Sequence, residues 1–219
     1  MILKGMRSHN IVSRIVPGDN TTILRPPHSH PWVVGLPCQD IDSNEIIACG
    51  GTLIGEHQKY VLTAAHCIDG EIGEYVVVGE HDLNDPNDGQ EKIKVINKIF
   101  HPEWTPPPDY DGRDYDLAIL ELETGVTNPF AKSALLPNEG DIFEKYIVDG
   151  WGDTAGGEIG STPSHILRTI ALSDIQPNND KPGAGKECAL DANYDLHICG
   201  MNLTNPIMQT GRGDSGGIL

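Results

Sequence analysis

The chain is poor in basic residues. Lys and Arg together number 15 against 32 Asp and Glu, for a formal net charge of −17. That balance repels phosphate backbones and argues against nucleic acid as a partner. The acids are spread along the chain rather than gathered into a run, so they serve solubility, not a charged tail. Long hydrophobic runs are also lacking. No stretch reaches the roughly 18 apolar residues that a spanning helix needs, so no membrane segment is expected. Residues Met1 to Arg14 lack the apolar core of a secretory leader, and the protein's true start is expected to lie outside this chain. No long segment carries a helical apolar period, and there is neither an internal repeat nor a low-complexity tract.

What the chain does contain suits many short strands. Its 219 residues include 25 glycines and 16 prolines. Short β-rich runs recur between turn signals at Tyr75–Val78, Ile93–Phe100, Leu117–Leu122, Tyr146–Val148 and Ile166–Leu172. Asp85–Gly89, Pro106–Gly112 and Asp174–Gly185 read as loops by composition. The expected class is all-β, barrel or sandwich. Five cysteines suggest disulfides with one thiol left over, and Asn20-Thr21-Thr22 and Asn202-Leu203-Thr204 are glycosylation sequons. Both features point outside the cell.

Three strings carry chemistry: Leu62-Thr63-Ala64-Ala65-His66-Cys67, Asp114-Tyr115-Asp116-Leu117-Ala118-Ile119-Leu120, and Gly213-Asp214-Ser215-Gly216-Gly217. A serine hydroxyl is a poor nucleophile until a base takes its proton. Imidazole does this near neutral pH and then protonates a leaving amine. An anion must hold the imidazole's tautomer, and glycines beside the serine let backbone N–H groups face a developing oxyanion. Singly, a histidine beside a cysteine, an acid heading a strand and a serine in a glycine turn are each ordinary structural features. Their joint occurrence in this order is not.

Together the strings resemble the trypsin/chymotrypsin family of serine proteases. Pro31-Trp32, Cys49-Gly50-Gly51-Thr52-Leu53-Ile54, Gly150-Trp151-Gly152 and Arg14-Ile15-Val16 are similar to other family signatures, so the resemblance covers about Arg14 to Leu219. It implies two six-stranded antiparallel β-barrels with the active site between them. The second is expected to be incomplete, because the chain ends four residues after Ser215. The implied domains are a propeptide remnant (1–14), a first barrel with the triad histidine and aspartate (15–125), and a second barrel with the nucleophile (126–219).

The resemblance implies His66 as general base, Asp116 as its orienting anion and Ser215 as nucleophile. It implies an oxyanion hole from the N–H groups of Gly213 and Ser215. Cleavage between Arg14 and Ile15 would free an amine to pair with Asp214, making the protein a zymogen. Cys49 would pair with Cys67 and Cys188 with Cys199, leaving Cys38 over. Gly211 stands where the family has a cysteine, and Pro17 where it has a glycine. No cofactor is required, but Glu80 to Glu91 resembles a calcium loop, with Glu80 and Glu91 as carboxylate ligands. An acidic surface hairpin is the other reading of that segment.

Gln209 lies six positions before Ser215, where the resemblance places the floor of the specificity pocket. A neutral amide there implies cleavage after uncharged, mainly apolar residues, since a cationic side chain would be desolvated without a countercharge. Implied partners are peptide or protein substrates, an activating protease and protein inhibitors, and the implied location is extracellular. Two other strings have simpler readings. Arg212-Gly213-Asp214 spells an adhesion motif, but in the protease reading Gly213 lines the oxyanion hole and Asp214 is buried. His28-Ser29-His30 offers only two metal ligands and reads as a loop before the Pro-Trp strand. A second function remains open alongside the endopeptidase: a non-catalytic homologue, or a truncated fragment, that binds a partner.

Overall fold

The structure, a computed structural model, describes residues 23–24, 26–38, 46–70, 74–106, 114–138, 141, 145–152, 163–174, 200–201 and 214–217. Its elements in chain order are β1 (Ile23–Leu24), β2 (Val33–Cys38), β3 (Ile46–Ile54), β4 (Tyr60–Thr63), the one-turn helix α1 (Ala65–Ile68), β5 (Tyr75–Val78), β6 (Glu91–Phe100), β7 (Ala118–Leu122), β8 (Lys145–Gly150), β9 (Arg168–Asp174) and β10 (Gly200–Met201). Strands β2, β3, β4, β7, β6 and β5 close into an antiparallel barrel in that order. A second antiparallel sheet of four strands is centred on β9, which pairs with β8 along its length and with β1 and β10 at its two ends. The expected all-β class and the first barrel are therefore observed, with a four-stranded sheet among the described residues of the second half.

Strand alternation explains the barrel interior. In β7, Ala118, Leu120 and Leu122 point inward and are buried, while Ile119 and Glu121 between them are half-exposed. Val34, Leu36, Leu53, Val61, Val76 and Val78 meet them in one cluster that also takes in Cys49, Ala64, Ala65, Cys67 and Ile68. Each fully buried aliphatic side chain contributes about 1.5–3 kcal/mol. The helix that carries His66 thus rests on the barrel core. A smaller cluster of Val33, Ile47, Trp151 and Leu167 joins residues of the barrel to residues next to the second sheet.

Several boundaries differ from the sequence reading. Ile23–Leu24 falls in the stretch assigned to the first barrel, yet it pairs with Thr169 and Arg168 of the second sheet. Ile166 lies outside β9, because Leu167 N–H donates to the His81 carbonyl and Leu83 N–H to that of His165, which ties residues 165–167 to the 81–83 turn. The segment after β7 returns to the first barrel, where Ala134 N–H donates to the Leu53 carbonyl and Lys132 N–H to that of Pro31. Of the expected loops, Asp85–Gly89 is confirmed; Pro106–Gly112 and Asp174–Gly185 fall mostly outside the described residues, although Asp174 itself ends β9.

Leu120, with no exposed surface in the barrel core, should lose about 2–5 kcal/mol of stability on truncation to Ala. Glu121→Gln, on the outer face, should stay within about 0.5 kcal/mol. Urea unfolding of both variants checks this. Equal destabilisation of the two would contradict the inward and outward assignment.

Candidate active site

His66 is delivered by the short turn after β4. Ala64 and Ala65 are small enough to lie fully buried against the core, so α1 packs tightly and turns the His66 ring outward. The Cys49–Cys67 disulfide, with Cα atoms 6.1 Å apart, fastens the same turn to β3, as the resemblance implied. Closing such a loop typically contributes about 2–4 kcal/mol.

Asp116 arrives from the neighbouring strand, just before β7, where Ala118 pairs with Thr63 of β4. Its carboxylate is buried and accepts two hydrogen bonds from one residue. His66 Nδ1–H donates to Oδ2 at 2.7 Å, and the His66 backbone N–H donates to Oδ1 at 2.8 Å. Because Nδ1 must carry the proton to donate, Nε2 is left as the basic nitrogen. The His66 side chain is 37% exposed, against 2% for Asp116.

Tyr115 makes this approach possible. Its φ of +57° is a conformation that costs a bulky residue about 1–3 kcal/mol. The ring is stacked on His101 with centroids 4.9 Å apart, and Leu117 N–H donates to the Tyr115 carbonyl at 2.7 Å. Sequence reasoning passed over Tyr115, although it sits inside the Asp114-Tyr115-Asp116 string. Nothing in residue type marks a left-handed tyrosine.

The Ser215 turn is seated between the two halves. Gly50 N–H of β3 donates to the Ser215 carbonyl at 2.7 Å, and Gly217 N–H donates to that of Asp214 at 3.1 Å. Gly216 has φ +74°, and a Cβ there would strike the Gly50 carbonyl and Thr63. The serine turn therefore rests on Thr63 and Ala64, the residues that lead into His66. Cys67 Sγ lies 3.5 Å from the Ser215 carbonyl oxygen. On the other side, Asp214 is buried and its Oδ1 accepts from Gly152 N–H at 2.9 Å. Side chains at Gly150 or Gly152 would collide with that carboxylate, which accounts for both glycines of the Gly-Trp-Gly string.

The remaining expected site residues divide into two groups. Arg14, Ile15, Cys188, Cys199, Gln209 and Gly213 lie outside the described residues, and Cys38 is described only as part of β2. In the 80–91 loop, Glu91 is engaged elsewhere than expected. Its carboxylate accepts from Thr127 N–H, Thr127 Oγ1–H and Asn128 N–H at 2.8–3.1 Å. The carboxyl beside Glu80 is Asp88, which the sequence reading did not single out. Asp88 Oδ2 accepts from the N–H groups of His81 and Asp82, while its Oδ1 is buried without a hydrogen-bond partner. Burial, then the hydrogen bond and charge of Asp88, push Glu80 up to about 8. Burial holds neighbouring His81 below the usual histidine range.

The Glu80 shift has a definite sign in stability. A carboxyl whose folded value stands above its unfolded 4.5 binds its proton more tightly when folded. Its contribution is complete below pH 4.5 and is lost as pH rises through about 8. In cation-free buffer, Glu80→Gln should therefore lose less stability than the parent protein across that interval. Urea unfolding at stepped pH reads the difference, and parallel curves would contradict the pairing of Glu80 with Asp88.

Comparison with known proteins agrees with this geometry. The Trypsin family model matches residues 20–219. Chymotrypsin-like elastase family member 1 of the rat is 40% identical over 120 residues, covering 52% of this chain and 43% of the relative. The human protein of the same name is also 40% identical over 120 residues, covering 52% of this chain and 45% of the relative. The chain thus spans less than half the length of these curated relatives. Among solved structures, neuropsin, a serine protease expressed in the limbic system of mouse brain, shares the fold with a TM-score of 0.67 at 24% identity, over 90% of this chain and 80% of that one. With a family match over nearly the whole chain and a buried Asp116 bonded to His66 beside the Ser215 turn, this chain belongs to the trypsin/chymotrypsin-like serine protease family.

Proposed function

We propose that the protein is a secreted serine endopeptidase that works through His66, Asp116 and Ser215. The observation that carries this reading is the paired hydrogen bonding of His66 to buried Asp116, which leaves Nε2 as the basic nitrogen of a ring that is 37% exposed. Nε2 takes the proton of Ser215 Oγ as that oxygen attacks the carbonyl carbon of a peptide bond. The resulting oxyanion is met by the N–H groups of Gly213 and Ser215. His66 then passes its proton to the leaving amine and an acyl-enzyme forms. Water, deprotonated by the same imidazole, releases the acid. Asp116 stabilises the imidazolium without taking a proton. Ser215→Ala should abolish peptide hydrolysis and fluorophosphonate labelling in the full-length, activated protein. Asp116→Asn should lower kcat by about 10⁴, because the amide would favour the wrong tautomer. Labelling of the Ser215→Ala variant at the parent rate would overturn the assignment of the nucleophile, and an unlabelled parent would favour a non-catalytic binding role.

Activation is proposed to require cleavage between Arg14 and Ile15, with the new amine directed to Asp214. The buried setting of Asp214 beside Gly152 supports this, since a buried carboxylate gains most from a cationic partner. Gln209 is proposed as the pocket floor, favouring uncharged residues before the scissile bond. A positional peptide library, read after tryptic activation, should show that preference, and Arg14→Gln should stay inactive under the same treatment. Dominant cleavage after Arg or Lys would refute the Gln209 role. Activation of the Arg14→Gln variant would refute the cleavage site.

A structural calcium ion is proposed at the 80–91 loop, held by Glu80 and Asp88. The crowded carboxyl pair and the bare Asp88 Oδ1 fit a hard cation. Bound calcium would supply the countercharge that the pair lacks. Adding it should abolish the alkaline loss of stability in the parent protein and leave Glu80→Gln unmoved. No calcium response in the parent would dismiss the site.

A further inference from the structure

A second histidine–aspartate pair lies away from His66 and Asp116. Asp149, on β8 of the second sheet, is 2% exposed, and charge in such a position must be compensated. His30, in the turn before β2, supplies the partner. Its Nδ1 lies 2.8 Å from Asp149 Oδ1 and 2.7 Å from Oδ2. Thr169 of β9, the cross-strand neighbour of Asp149, donates its hydroxyl to Oδ1 at 2.5 Å. The His30 ring is stacked on Trp32, with centroids 5.5 Å apart. Its turn is fixed to the barrel by the main chain: Val33 N–H donates to the His30 carbonyl and Leu53 N–H to that of Trp32. One carboxylate therefore joins the first barrel to two strands of the second sheet, β8 and β9.

The position of Asp149 at the end of β8 gives the pair its significance. The Asp149 carbonyl oxygen abuts Gly217, where a Cβ would come within 2.6 Å of it. The next residues, Gly150 to Gly152, form the wall against which the Asp214 carboxylate sits. The end of β8 is thus the seat of the Ser215 turn, while His66 and Asp116 belong to the barrel. We propose that His30 and Asp149 are positioning residues that set where Ser215 stands relative to His66. The inference rests on the endopeptidase reading. Neither residue touches substrate. Their hydrogen bonds fix the seat against the barrel, and nucleophilic attack is steeply sensitive to placement.

The test uses the full-length, activated protein. His30→Phe keeps a ring for Trp32 but removes the donor. It should slow fluorophosphonate labelling of Ser215 and lower kcat by about tenfold or more, with KM within about twofold, because a displacement near 1 Å can cost 10²-fold. His30→Gln, which retains an N–H donor, should recover most of both rates. His30→Phe/Asp149→Asn leaves no unpaired buried charge and keeps an acceptor for Thr169, so it should fold even if the single variant does not. Rates are counted per folded molecule by near-ultraviolet circular dichroism. Slow labelling in the double variant with a normal unfolding temperature supports positioning. Parent-like labelling and kcat in the His30→Phe and double variants, whatever their unfolding temperatures, overturns it and leaves a stabilising tie only. If the parent protein itself is not labelled, the endopeptidase reading fails and this inference falls with it.

Discussion

The site depends on the buried carboxylate of Asp116. An ionised group with 2% of its side chain exposed is tolerated only when its oxygens are bonded. His66 provides a bond to each oxygen, one from its backbone and one from its ring. The backbone bond fixes where α1 ends up, and the ring bond fixes which nitrogen is basic. The barrel core beneath Ala64 and Ala65, the Cys49–Cys67 bridge and the left-handed Tyr115 all serve to bring these two residues within 2.8 Å. Removing one partner of such a pair leaves an uncompensated buried charge, which ordinarily costs about 3–5 kcal/mol.

A second constraint is steric. The serine turn must come close to β3 on one side and to the end of β8 on the other. Gly50, Gly150, Gly152, Gly216 and Gly217 all stand where a Cβ would strike backbone or the Asp214 carboxylate. Polar ties then hold the two sides together: Gly50 N–H to the Ser215 carbonyl, and His30 to Asp149. The geometry of the site in this arrangement belongs to the junction of barrel and sheet rather than to either alone.

Much of this was legible in the sequence because it is written locally. Alternating runs such as Ala118 to Leu122 show their buried face directly. The His66, Asp116 and Ser215 strings announce their chemistry through residue type and neighbours. What the sequence did not disclose depends on partners distant along the chain. Glu91 bonds to Thr127 and Asn128, 36 and 37 positions away, and Asp88 stands beside Glu80. His30 read as a loop residue because its partner Asp149 lies 119 positions away. Ile23–Leu24 joins the second sheet through pairing with β9, which no local pattern encodes.

The central claim is that Asp116 holds His66 with the proton on Nδ1 and Nε2 bare. Nitrogen-15 NMR of the histidine rings in the full-length protein, with His66 assigned by its replacement with Gln, measures this directly. At a pH where the ring is neutral, His66 should show a protonated Nδ1 with a strongly downfield proton, and Asp116→Ala should abolish that resonance. A His66 ring protonated on Nε2, or one indifferent to loss of Asp116, would contradict the account.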